Sequence, residues 1–196
     1  MKPKILNALI LASCMMFTNC SRPSEQEALQ PNKQELSQEQ LVARGKYLTT
    51  IGGCNDCHSP KIMTPAGPEP DPSRLLSGHP QNEKLSTIIK TSDWLLFNNT
   101  LTAFVGPWGV SYAANLTPDD TGIGNWKFEQ FVTAIRKGKY KGLEEGRPLL
   151  PPMPWQMYRT MTDDDLLAVF TYLKSLQPVD NLVPSPISPD NLITKK

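Results

Sequence analysis

The sequence has little charge of either sign to spare: 20 Lys and Arg stand against 19 Asp and Glu, a formal net charge of +1. No basic stripe or charge block breaks this balance, so nothing supports a nucleic-acid partner. It also lacks an apolar run long enough to cross a bilayer, which takes about 20 residues. The longest such run, roughly Ile5 to Phe17, is interrupted by Asn7 and Cys14. Histidine is nearly missing, with only His58 and His79. No general acid–base pair or nucleophile constellation can be assembled, so catalysis at a side chain is not expected. Proline, in contrast, is abundant. Its 19 residues imply a modest core joined by stiff, irregular chain, and the length suits one domain with flanking segments.

Lys2 and Lys4 precede the apolar run, the layout of a signal peptide. Phe17-Thr18-Asn19-Cys20 resembles the lipobox of bacterial lipoproteins, in which the cysteine is lipidated. Leu11-Ala12-Ser13-Cys14 also fits, with a very short apolar region ahead of it, and an ordinary cleaved signal is the third alternative. Cys20 is preferred. Residues 1–19 are then expected to be a lipoprotein-type signal peptide. Residues 20–35 are too polar to fold and read as a tether. Residues 36–178 form the domain, and 179–196 a proline-rich, irregular tail. The expected location is the periplasmic side, held to a membrane through the N-terminal lipid.

The remaining two cysteines lie in Cys54-Asn55-Asp56-Cys57-His58. Cys-x-x-Cys-His is the attachment signature of c-type haem. Two intervening residues span about one helical turn and bring both sulfurs to the same ring edge. The adjacent imidazole of His58 then reaches the iron. A redox dithiol would use the same Cys-x-x-Cys, but it expects a surrounding βαβ pattern that is not visible here. A structural zinc site would need Cys54, Cys57, His58 and His79 together. The motif occurs once, which predicts one covalent haem c.

Three segments carry helical periodicity. The first, Ser37 to Ile51, opens on a capping box of Ser37 and Gln40. It places Leu41, Gly45 and Leu48 on one face, and Gly52-Gly53 ends it. The second, Phe128 to Lys137, has a stripe of Phe128, Phe131, Val132 and Ile135, stopped by Gly138. The third, Asp163 to Leu176, starts at Thr162 with three aspartates at the positive end of its dipole. Its stripe is Leu166, Val169, Phe170, Leu173 and Leu176. The predicted fold class is all-α, with a long loop-rich insert over 59–124. In that insert Leu101 to Val105 and Val110 to Ala113, around Gly106-Pro107-Trp108-Gly109, read as a small β-hairpin. Trp94, Trp108 and Tyr112 either cover a cofactor edge or partner surface, or pack the insert onto the helices. A backbone carbonyl from the proline-rich loop that opens the insert (Pro60 to Pro72) is a candidate to orient the His58 ring.

An electron-transfer haem commonly takes a second axial ligand. Candidates are Met63, His79, Met153, Met157 and Met161. Met153 is favoured because Pro151-Pro152-Met153-Pro154 is rigid, with φ restrained at three positions. Met157 and His79 remain the alternatives. Arg147 and Lys141 are candidates for the haem propionates.

Ala43-Arg44-Gly45-Lys46-Tyr47-Leu48 followed by Gly52-Gly53-Cys54-Asn55-Asp56-Cys57-His58 resembles the opening of class I cytochrome c domains. Asn115-Leu116-Thr117-Pro118-Asp119, Thr121-Gly122-Ile123-Gly124-Asn125-Trp126 and Leu150-Pro151-Pro152-Met153-Pro154-Trp155 resemble the cytochrome subunits of bacterial alcohol and gluconate dehydrogenases. This resemblance implies a class I helical fold around one haem. It implies that the terminal helices cross at Gly45 against the Phe170 to Leu173 region. His58 and Met153 become axial ligands, and Trp126 packs near the haem. Those subunits usually carry three haem motifs and this chain has one. The implied role is an electron carrier, not an enzyme, between a periplasmic or membrane dehydrogenase and a respiratory acceptor. The alternative is a haem enzyme or sensor with an open or labile sixth position.

Overall fold

The computed structural model describes residues 35–192 except 87 and 89. Cys14, Cys20 and the signal and tether readings therefore lie outside the described residues. The compact unit begins at Leu36.

Helix α1 (Gln38–Ile51) starts as its sequence dictates. Ser37 Oγ accepts from the Gln40 amide, and the Gln40 side chain accepts from the Ser37 amide at 2.8 Å. A one-turn helix α2 (Cys54–His58) follows, entered through Gly53 in the left-handed conformation. Helix α3 (Phe128–Lys137) ends at Gly138, whose φ of 61° is also left-handed. A short helix α4 (Trp155–Tyr158) precedes α5 (Asp163–Lys174), which is capped by the Thr162 hydroxyl accepting from the Asp165 amide.

Helices α1 and α5 cross at Gly45. A Cβ at that position would run into the Ala168 carbonyl and Tyr172 Cβ, so only glycine lets the two backbones meet. The contact is with Tyr172, inside the expected Phe170 to Leu173 region, and with Ala168, one turn before it. Arg44 reinforces it by bonding Asp165, its Nε donating at 2.8 Å. Around the crossing, Leu76, Ile123, Phe131, Leu166, Val169, Tyr172 and Leu173 form the buried core. The remaining residues of the predicted α3 and α5 stripes pack against it.

The all-α expectation is corrected by two small antiparallel sheets among the described residues. Strands β1 (Lys61–Thr64) and β2 (Gly67–Pro70) form a hairpin where the sequence suggested only a proline-rich loop. Proline cannot propagate a helix or donate to a ladder, but it is tolerated on an edge strand, and both strands here are edges. The second sheet holds β3 (Leu96–Phe97), β4 (Ala103–Gly106) and β5 (Gly109–Tyr112), in that order. Its β4–β5 hairpin turns through Pro107 and Trp108, as the sequence indicated.

Residues 179–192 are irregular in backbone except for a 3-10 turn at Pro189–Asn191 and a bridge at Ile187, and they are anchored to the domain. Asn181 is fully buried, donating to the Ser77 and His79 carbonyls and accepting from the Gln81 amide. Ile187 exchanges two main-chain hydrogen bonds with Val110 of β5, at 2.8 and 3.0 Å. No helix among the described residues is long and apolar enough to cross a membrane.

Candidate haem-attachment site

Helix α2 carries Cys54, Cys57 and His58, and its neighbours pin it at both ends. Tyr158 of α4 donates its hydroxyl to the Gly52 carbonyl at 2.5 Å, just ahead of Cys54. At the other end Lys61 Nζ donates to the carbonyls of Asn55, Asp56 and Ser59. A cation there meets the negative end of the helix dipole and satisfies carbonyls the short helix leaves open. The buried Ser59 hydroxyl donates to Asn55 Oδ1 and accepts from the Leu76 amide. The motif is thus held by contacts from the chain on both sides of it.

Both thiols are free and half-buried. Burial pushes Cys54 up to about 11; the charges of Cys57 and Asp56 add to this, and a backbone hydrogen bond opposes it. Cys57 is raised by burial and then by Asp56, against the opposing charge of Lys61. A redox-active dithiol needs the reverse, a thiol lowered toward neutrality. Among the described residues no three His, Cys, Asp or Glu side chains converge as a metal-ligand set.

His58 faces differently from the cysteines in its bonding. Its Nδ1 lies 2.8 Å from the Ala114 carbonyl. A carbonyl only accepts, so Nδ1 carries the proton and Nε2 keeps the lone pair a metal would take. Burial holds the imidazole below its ordinary range, with the Ala114 carbonyl working against that and Lys61 adding to it. The neutral ring is the ligating form. The orienting carbonyl therefore exists, but it belongs to the strand exit after β5 and not to the proline-rich hairpin. The side chains present fit a covalent haem c: two un-ionised thiols one turn apart and a neutral imidazole whose outer nitrogen is already committed.

The sixth-ligand candidates separate by position. Met63 is 79% exposed on the β1–β2 hairpin and Met157 is 68% exposed on α4. Met161 packs against the helical core. His79 is fully buried, its Nδ1 on Thr102 Oγ1 at 2.9 Å and its ring 4.8 Å from that of Tyr112. His79 is a loop residue, but its loop is folded inward: the neighbouring Gly78 and His79 amides bond the His58 and Ala113 carbonyls. Met153 is partly buried. Its segment is tied to β5 by Ser111 Oγ, which donates to the Pro151 carbonyl at 2.5 Å. Four residues beyond Pro154, Tyr158 ties the chain to the turn before Cys54.

Trp126 is partly buried against the helical core. Arg147 lies over the Tyr140 ring at 3.9 Å and donates to the Pro148 carbonyl, while Lys141 is exposed. Of the insert aromatics, Trp94 is 73% exposed, whereas Trp108 and Tyr112 pack within the insert. Sequence reasoning missed Ala114, Ser111 and Tyr158, because none bears a local signal. Lys61 was findable: a cation just past the end of a helix is a recognised C-terminal partner.

No family model matches the chain. Curated relatives do. Over 155 residues it is 31% identical to the gluconate 2-dehydrogenase cytochrome c subunit of Pantoea cypripedii, covering 76% of this chain and 27% of that protein. Over 180 residues it is 28% identical to the fructose dehydrogenase cytochrome subunit of Gluconobacter japonicus, covering 91% and 28%. An 80-residue stretch, 40% of this chain and 6% of the relative, is 40% identical to a nicotinate dehydrogenase component of Pseudomonas putida. The chain spans no more than 28% of the length of these relatives. Its homologues at 28–31% identity over most of its length are cytochrome c subunits of alcohol, gluconate and fructose dehydrogenases. That homology agrees with the resemblance drawn from the motifs and supports, at the level of the family, an electron-transfer cytochrome with covalently bound haem c.

Proposed function

We propose, from its homology to dehydrogenase cytochrome c subunits, that this chain is a one-haem electron carrier linking a dehydrogenase to a respiratory acceptor. When bound, haem c supplies a one-electron iron couple, so the protein needs no general acid or base of its own. Cys54 and Cys57 supply the two thioether sulfurs, and His58 presents Nε2 because Ala114 holds Nδ1. Met153 would supply a second ligand to the iron from a segment in which prolines restrain φ. Trp126 contributes to the apolar wall. The architecture is that of a class I cytochrome c domain, enlarged by the two-sheet insert. Export to the periplasmic side, with a lipid anchor at Cys20, completes the reading.

The observation that carries it is the tautomer-locked His58 beside two un-ionised thiols on one helical turn. The test is expression of the full chain with native haem-attachment machinery. The denatured polypeptide should retain one haem by mass, and Cys54→Ser with Cys57→Ser should abolish it. The oxidised protein should show the weak long-wavelength absorption band of methionine ligation. A colourless polypeptide defeats the reading, and a high-spin spectrum favours an open sixth position.

A further inference from the structure

Ser111 lies in β5 and is 7% exposed. Its hydroxyl has one proton, and the Pro151 carbonyl can only accept, so that proton is committed to Pro151 at 2.5 Å. A lone pair of the same oxygen accepts from Trp108 Nε1–H at 3.1 Å. The indole is fixed in turn by folding back over Gly106, where a Cβ would meet its ring. The result is a directional chain from Trp108 through Ser111 to Pro151, buried at its centre.

The segment it reaches has few other anchors. Pro151, Pro152 and Pro154 lack amide protons, so apart from the Met153 amide the main chain here can be pinned only through its carbonyls. The nearest main-chain tie before it is Leu149 N–H to the Gly138 carbonyl, at 2.7 Å. Directly beyond it the Trp155 ring packs over Gly138, and the nearest long-range hydrogen bond after that is the Tyr158 hydroxyl. Three residues after Ser111, Ala114 holds His58. One short stretch, 111–114, therefore grips both segments assigned to the axial ligands.

We infer that Ser111 is a positioning residue for Met153, and that the Trp108–Ser111–Pro151 chain sets how firmly its thioether is held at the iron. This rests on the His58/Met153 reading. The insert then joins the two axial ligands mechanically: β5 and its exit hold the imidazole with a carbonyl and the methionine segment with a hydroxyl.

The test is titration of the oxidised holoprotein with imidazole, which competes with methionine for the sixth position. Losing one buried hydrogen bond should make Ser111→Ala bind imidazole about tenfold more tightly. Its long-wavelength methionine band should weaken while covalent haem is retained. Ser111→Thr, which keeps a hydroxyl, should restore wild-type affinity. Trp108→Phe, which removes the outer donor together with one ring of the indole, should shift affinity by about threefold, and it serves if Ser111→Ala does not fold. Wild-type affinity in Ser111→Ala overturns the inference. So does a tenfold shift that persists in a Met153→Ala background, since the effect then does not pass through Met153. A methionine band that survives Met153→Ala removes the ligand assignment, and the inference with it.

Discussion

Replacing Gly45 with Ala tests whether the α1–α5 crossing is built on backbone contact. The added methyl would be driven into the Ala168 carbonyl and Tyr172 Cβ, and a carbonyl inside α5 cannot rotate aside. The helices must separate, which belongs at the upper end of overpacking costs, about 3 kcal/mol. Alanine recovers about 1 kcal/mol of helix propensity over glycine. The net loss is about 2 kcal/mol, or a fall in Tm of about 4–8 °C for a domain of this size. The Arg44–Asp165 pair spans the same crossing and should loosen with it. The assay is thermal and denaturant unfolding of the holoprotein, followed by far-ultraviolet circular dichroism. Ala43→Gly, at an exposed position of the same helix, is the control and should cost about 1 kcal/mol from propensity alone. A Gly45→Ala protein as stable as wild type, or more so, would refute the close-contact account.

Asn181→Ala leaves the Ser77 and His79 carbonyls and the Gln81 amide without their partner, and should lower unfolding free energy by about 2–4 kcal/mol in denaturant titrations. Gly138→Ala must hold alanine at a φ of 61° and displace the Trp155 ring, costing about 2 kcal/mol. Limited proteolysis should then cut the 149–155 stretch sooner. Burial acts to raise Asp165, but the Arg44 and Thr162 hydrogen bonds outweigh it and hold this carboxyl below its ordinary value of 3.8. Its contribution is therefore present above that value and lost as pH falls through the lower, folded-state value. With Arg44 49% and Asp165 18% exposed, the contribution is screened to about 1 kcal/mol or less. The stability gap between wild type and Asp165→Asn should be present near neutrality and shrink as pH falls below 3.8; a gap that widens on acidification would contradict this.

Local chemistry alone determined much of this protein. The capping box at Ser37, the stop at Gly138, the α5 stripe and the β4–β5 turn each depend on residues a few positions apart, and each formed as its pattern required. The haem-attachment motif is local in the same sense, being one helical turn long. Tertiary structure decided the rest. Which carbonyl holds His58, which hydroxyl holds Pro151, and how Asn181 stitches the last segment into the domain all depend on pairs 40 to 104 residues apart. Serine, alanine and asparagine at those positions carry no periodicity and no motif. Their roles exist only once the core has brought distant backbone groups within hydrogen-bonding reach and left them no water to bond instead. The β1–β2 hairpin was not legible either, although its strands are neighbours in the chain. Proline content announced that helix was excluded, but no alternating pattern showed that Lys61–Thr64 would pair with Gly67–Pro70.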